Sequence, residues 1–214
     1  MKKNKIKVTI FTSPNSYFNQ YIPLFKKEMA DWDICFVSDK TQLVSGDVAF
    51  YLSCYELIGP KYLSLHKHNI VIHESDLPSG KGWSPASWTI LSGNNTLTLS
   101  LFEMSSRVDA GDIYFKDTVV LDGTELKDEW QTKIILKKIE MCQKFLKDYL
   151  FTKPTPQSGP ESFYPKRTPA DCELDINKTI EQQFNLLRIV DNDNYPAFFV
   201  LNGIKYKLTI EKMR

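Results

Sequence analysis

The sequence predicts an α/β fold with a largely parallel sheet, followed by a small C-terminal subdomain of one helix and a hairpin. Three observations carry that expectation. Short β-branched runs alternate with stretches of helical apolar spacing as far as residue 151. The run TKPTPQSGPESFYPKRTP, rich in Pro, Ser and Gly, then breaks the pattern as an extended connector. Beyond it, Asn202–Gly203 sits between two apolar runs, the signature of a tight hairpin turn. The expected organisation is a core over 1–151 and a connector with its small α+β subdomain over 152–214.

KIKVTIF (5–11) is β-branched and bounded by TSPNS, so it reads as a strand entering a turn. Residues 16–30 carry Tyr17, Tyr21, Leu24, Phe25 and Met29 at helical spacing, with Pro23 inside to kink or delay the helix. WDICFV (32–37) and DVAFYLS (47–53) are the second and third strands. YLSLHKH (62–68) reads as the end of a short helix and NIVIH (69–73) as the fourth strand. SPASWTILSG (84–93) fits a helix with Ser84 as N-cap, Pro85 at its first position and Gly93 as its stop. TLTLSLFEM (96–104) and DIYFKDTVVL (112–121) are strands. Residues 125–151 form a long amphipathic helix with Trp130, Ile134, Ile135, Ile139 and Phe145 on its apolar face. The tail adds a short helix over 178–190 and strands over 197–201 and 205–210.

At 214 residues the chain suffices for one ordinary domain and an appendage. Apolar content of 42% and charged content of 25% are normal for a soluble globular protein. With 27 basic against 26 acidic residues, the total gives no electrostatic argument for nucleic acid. The four cysteines (Cys35, Cys54, Cys142, Cys172) form no CxxC pair and read as reduced structural thiols of a cytoplasmic protein. The apolar part of MKKNKIKVTIF is too short for a signal peptide, and no apolar run approaches a membrane span. Lys2, Lys3 and Lys5 read as solubilising charge. His66 and His68 read as surface residues on a basic turn, and no histidine–cysteine set has metal-ligand spacing, so no metal is expected.

The run HESDLPSGKGWSP (73–85) has no helical or strand pattern. In open α/β sheets ligands bind outside the carboxyl ends of the strands, and His73 sits at such an end. Pro78, Gly80 and Gly82 allow a sharp turn and close approach to a ligand. Glu74, Ser75, Asp76 and Lys81 add polar groups beside an exposed-looking Trp83. A lone strand-end histidine is often structural, but a second loop, SSRVDAGD (105–112), follows another strand. Its Asp109 is either a turn residue or a carboxylate aimed at the imidazole, fixing its tautomer and making it a better base.

His73-Glu74-Ser75-Asp76-Leu77-Pro78, with Lys81-Gly82 and Ser84-Pro85, resembles the HPSLLPxYRGxxP segment of the 10-formyltetrahydrofolate-dependent formyltransferases. RVDAGDI (107–113) resembles their second signature. FYPKRTPADCELD (163–175), FNLLRIVDNDNYPAFF (184–199) and KYKLTI (205–210) resemble the post-core region of the sugar N-formyltransferases, so the likeness covers nearly the whole chain. It is nearest the branch acting on nucleotide-linked 4-amino sugars, including pseudaminic-acid-type pathways. The resemblance implies a Rossmann-like formyltransferase core, 10-formyltetrahydrofolate as co-substrate, and a nucleotide-linked 4-amino-4,6-dideoxy sugar as acceptor. It gives His73 the role of general base and then acid, with Asp109 orienting it. Glu56, Leu57 and Ile58 resemble the loop meeting the folate, although Leu57 and Ile58 also read as core. Trp83 would border the cofactor, and Ser105, Ser106, Arg107, Val108 and Asp109 would line the pterin slot. Ser75, Lys81, Tyr164 and Arg167 are acceptor-side candidates, the last three also readable as surface charge or connector packing. The hairpin-bearing tail is a possible homodimer contact.

One departure matters. The family carries Asn two residues before the histidine, where this chain has Val71. Asn69 shares the strand face but lies about 6–7 Å further back. The oxyanion of formyl transfer needs a donor. Protonated His73, a loop N–H or Lys81 supplies it, or the chain is a weak catalyst. The alternatives are an aminoacyl acceptor on transfer RNA or a carrier protein, and a folate- or sugar-binding module that does not turn over.

Overall fold

The computed structural model describes residues 6–213. Lys2, Lys3 and Lys5, and the first residue of the strand expected at 5–11, lie outside the described residues. In chain order the elements are β1 (Lys7–Phe11), a 3-10 turn (Tyr17–Tyr21), α1 (Ile22–Glu28), β2 (Asp33–Val37), β3 (Gly46–Tyr51), α2 (Pro60–Leu63), β4 (His66–His73), β5 (Lys81–Gly82), α3 (Pro85–Leu91), β6 (Thr96–Glu103), β7 (Ile113–Val120), α4 (Lys127–Asp148), β8 (Phe163–Tyr164), α5 (Phe184–Ile189), β9 (Ala197–Leu201) and β10 (Ile204–Leu208).

Six strands form the central sheet in the order β2-β1-β3-β4-β6-β7. The first four are mutually parallel; β6 runs antiparallel to β4 and β7 antiparallel to β6, so β6 alone is reversed. The α/β class with a mostly parallel sheet is thus as the sequence predicts. Side-chain alternation divides the sheet between two cores. Ile70 and Ile72 join Val8, Ile10, Val48 and Phe50 under α1, α3 and α4, with Ile134, Ile135, Ile139 and Phe145 from the long helix. The opposite face, with Ala49, Tyr51 and Val71, packs under α2, Ile58 and Met104. The C-terminal segment has its own cluster of Cys172, Leu174, Leu187, Val190, Ala197 and Phe198. Its hairpin turns through Asn202 (φ 51°) and Gly203 (φ 78°), both left-handed as a two-residue hairpin turn requires.

Several local expectations are corrected. Residues 16–30 do not form one helix: Pro23 sits in the first turn of α1, and the residues before it wind as a 3-10 turn. Ser84 precedes α3 in a left-handed conformation and makes no side-chain cap. His66 and His68 belong to β4, not to a helix end or a surface turn. His66 is buried, its Nε2 at 3.0 Å from Thr9 Oγ1. His68 lies between Tyr114, Phe145 and Tyr149, its Nδ1 at 3.1 Å from Tyr114 Oη and 3.3 Å from Glu103 Oε2. No helix among the described residues is long and apolar enough to cross a membrane.

Candidate active site

β4 ends at His73, and the chain leaves the sheet there. Ser100 of β6, opposite His73 in register, accepts the Leu77 N–H (3.2 Å) on Oγ and donates to Ser75 O (2.7 Å), folding the chain back on itself. The Leu77–Pro78 bond is cis. Gly82 holds φ 94°, and a Cβ there would stand 2.6 Å from Tyr164 O, so only glycine fits between the loop and β8.

The two loops singled out in the sequence meet. His73 Nδ1 lies 3.7 Å from Asp109 Oδ1, their side chains 11% and 13% exposed. Asp109 Oδ2 accepts the Gly82 N–H at 2.9 Å, and His73 Nε2 donates to Gly80 O at 2.9 Å. The second loop reaches His73 by an indirect route. β6 is reversed, so segment 104–112 starts low on β4, where Met104 N–H donates to Asn69 O, and climbs back to His73. Gly111 makes the return possible: a Cβ there would sit 1.6 Å from Glu103 O.

Behind His73 lies a charge pair that sequence reading did not connect. Glu74 Oε1 accepts from Lys138 Nζ (2.8 Å) of α4 and from Tyr17 Oη (2.9 Å) of the 3-10 turn. The Lys138 side chain is 2% exposed. Burial pushes the Glu74 carboxyl up, but the Lys138 ammonium and the Tyr17 hydroxyl outweigh it and hold it below its ordinary value. Burial, reinforced by that carboxylate, raises the Tyr17 phenol well above its own. One signal for this pair was available: Lys138 stands on the apolar stripe of its helix, four residues from Ile134 and from Cys142.

The remaining site candidates divide. Leu57 is 76% exposed and therefore not core, Ile58 is buried, and Glu56 pairs with Lys40 at 2.7 Å. Trp83 is 42% exposed, its ring 6.2 Å from that of Tyr55 and capped by Lys166 Nζ at 5.0 Å. Ser105, Ser106, Arg107 and Val108 are all exposed. Ser75 is buried and its Oγ has no protein partner. Lys81 is also buried, its ammonium held by Glu161 at 2.7 Å rather than free for a phosphate. Tyr164 stacks on Trp88 (6.1 Å, 15°). Arg167 is directed into the C-terminal segment, toward Ile189 O and Cys172 Sγ, and is not joined to the His73–Asp109 cluster by any hydrogen bond. Asn69 is engaged on both sides of its amide, which donates to Leu63 O (2.9 Å) and accepts from Tyr51 Oη (3.2 Å). Val71 packs against Leu77, Phe102 and Ile113. Among the described residues, no three His, Cys, Asp or Glu side chains gather as a metal-holding group.

Residues 9–141 match the family model described as Formyl transferase. The methionyl-tRNA formyltransferase of Lactococcus lactis subsp. lactis is 24% identical over 192 residues, 87% of this chain and 60% of that protein. That of Lactobacillus acidophilus is 26% identical over 140 residues, 64% of this chain and 44% of that protein. The chain thus spans about half the length of these curated relatives. Among solved structures, a methionyl-tRNA formyltransferase from Clostridium thermocellum superposes with a TM-score of 0.79 at 20% identity, over 98% of this chain and 94% of that one. A 4-N formyltransferase from Francisella tularensis gives 0.70 at 19% identity, over 98% of both chains. HypX from Aquifex aeolicus in complex with tetrahydrofolic acid gives 0.73 at 16% identity, over 94% of this chain and 37% of that one. At these identities the structural likeness is one of fold.

Proposed function

The chain belongs to the formyl transferase family, and from that premise we propose that it moves a formyl group from 10-formyltetrahydrofolate to the amine of a nucleotide-linked 4-amino-4,6-dideoxy sugar. The observation that carries this reading is the His73–Asp109 pair, 3.7 Å apart beneath a glycine-rich loop at the end of a parallel strand. The amine attacks the formyl carbon, a tetrahedral oxyanion forms, and the bond to folate N10 breaks. His73 takes the proton the amine loses and returns it to N10, and Asp109 favours the imidazolium in between. His73 Nε2 is the nitrogen that meets the amine, so the acceptor displaces Gly80 O from it. Asn69 and Lys81 are engaged elsewhere. The oxyanion donor is therefore the imidazolium itself or a loop N–H. Exposed Leu57 and Trp83 support a cofactor edge on this side of the sheet. The apolar residues left on the hairpin, Leu201, Ile204 and Tyr206, support a homodimer contact there.

Transfer to an aminoacyl group on transfer RNA is the second reading, and the methionyl-tRNA formyltransferase relatives favour it. Purified protein incubated with 10-formyltetrahydrofolate and a panel of nucleotide-linked 4-amino-4,6-dideoxy sugars, or with methionyl-tRNA, separates the two by mass spectrometry. The expected result is a formyl adduct on a sugar, absent with His73→Ala. An adduct on methionyl-tRNA alone would select the second reading, and no adduct on either acceptor would overturn both.

A further inference from the structure

The segment after α4 is a strap across both candidate loops. Ser162 accepts the Gly80 N–H on Oγ (2.8 Å) and the Lys81 N–H on its carbonyl (2.9 Å). Thr155 and Ile113 exchange backbone hydrogen bonds of 2.8 and 2.9 Å. Between these anchors, Gln157 Nε2 donates to both Asp109 O and Gly111 O, each at 2.9 Å. Both partners are carbonyls, so they fix which end of the amide faces the loop. The cost is visible: Gln157 Oε1 is buried with no protein donor. Asp109 itself sits at φ 49°, a conformation that an L-residue keeps only when its surroundings over-determine it. Within the loop, only Ser105 Oγ, bonded to Arg107 O, adds a side-chain brace.

We propose that Gln157 is a positioning residue: it holds the Asp109 loop so that the carboxylate stays on the Gly82 N–H and against His73. Its consequence for rate rests on the formyl-transfer reading, whereas its geometry does not. The test therefore has two readouts. Amide hydrogen exchange is followed by NMR at Gly82, whose N–H is bonded to Asp109 Oδ2, and at Lys81, whose N–H is bonded to Ser162 O. Turnover is measured in wild type, Gln157→Leu, Asp109→Asn and the double variant. Gln157→Leu should speed exchange at Gly82 by about tenfold or more while leaving Lys81 within about twofold. It should lower kcat by about 10–100-fold, in line with lost supporting contacts at other sites, with KM for the acceptor nearly unchanged. In the Asp109→Asn background the same change should cost less than about threefold, because its effect runs through Asp109.

Unchanged exchange at Gly82 would overturn the proposal, and so would equal kcat losses in the two backgrounds. If Gly82 loosens and wild type formylates no acceptor, the positioning role stands and the formyl-transfer reading fails. Should Gln157→Leu not fold, Gln157→Glu keeps the shape, lacks the donor, and is read the same way.

Discussion

Replacing Glu74 with glutamine removes one charge from a pair that has almost no water around it. Its carboxylate and the Lys138 ammonium are 2.8 Å apart, with side chains 15% and 2% exposed. At an effective dielectric near 20 their attraction is about 6 kcal/mol. Most of that only repays desolvation, but the variant leaves Lys138 charged, buried and without its counterion, which typically costs about 3–5 kcal/mol. Against a total stability of roughly 5–15 kcal/mol the loss is large. For a chain of this length it lowers Tm by roughly 6–20 °C. Glu74→Leu combined with Lys138→Met should recover part of the loss, because an apolar pair carries no charge desolvation cost, although Tyr17 Oη then loses its carboxylate acceptor.

The pH dependence has a definite sign. The folded Glu74 carboxyl lies below its ordinary value of 4.5, so its contribution is complete above that pH and disappears as pH falls through the lowered value. The gap between wild type and Glu74→Gln should be full at neutral pH and close in acid. Urea unfolding followed by circular dichroism at several pH values measures it. A Glu74→Gln protein within about 1 kcal/mol of wild type at pH 7, or a double variant less stable than the single, would refute the reasoning.

Three further predictions concern other parts of the chain. Val71→Asn should raise kcat by about tenfold or more by supplying an oxyanion donor, at about 1–2 kcal/mol of stability for putting an amide against Leu77, Phe102 and Ile113; stopped assays and urea melts read the two effects. Gly111→Ala should lower turnover about 100-fold or more while far-UV circular dichroism stays native, since a Cβ 1.6 Å from Glu103 O forces the Asp109 loop away from His73. Burial pushes the Glu125 carboxyl up, but Lys133 and the N–H groups of Asp122 and Gly123 bring it down to about 2. Glu125→Gln should therefore cost roughly 3 kcal/mol at pH 7, where it also strands buried Arg188, and the difference should shrink as pH falls from 4.5 toward about 2 in acid-denaturation curves.

What could be read in the sequence followed from local pattern. Strand cores, the long helix, the Asn-Gly hairpin and the strand-end His73 all have signatures within a few neighbouring residues. What could not be read depended on partners far along the chain. His66 and His68 look like polar turn residues until Thr9, Glu103 and Tyr114 come beside them in the sheet. Lys81 looks solvated because Glu161, which covers it, lies 80 residues later. Gln157 sits in a run that reads only as connector, and its acceptors, Asp109 O and Gly111 O, lie 48 and 46 residues earlier. Strand direction has no local signature either, so the path taken by the Asp109 loop was invisible until β6 was seen to be reversed.

That reversal turns chain length into a ruler. Asp109 reaches His73 by retracing part of β4, and the retraced segment is closed at its base where Glu103 N–H bonds to Asp112 O. Below that clasp, the irregularity between Leu101 and Phe102 already absorbs one residue of β7. Surface loops ordinarily tolerate gained or lost residues. Here a single insertion between 104 and 112 would swing the carboxylate off the imidazole, whatever residue were added. Substitution is therefore better aimed at the exposed rim around Leu57 and Trp83, where side chains can be exchanged without changing the count.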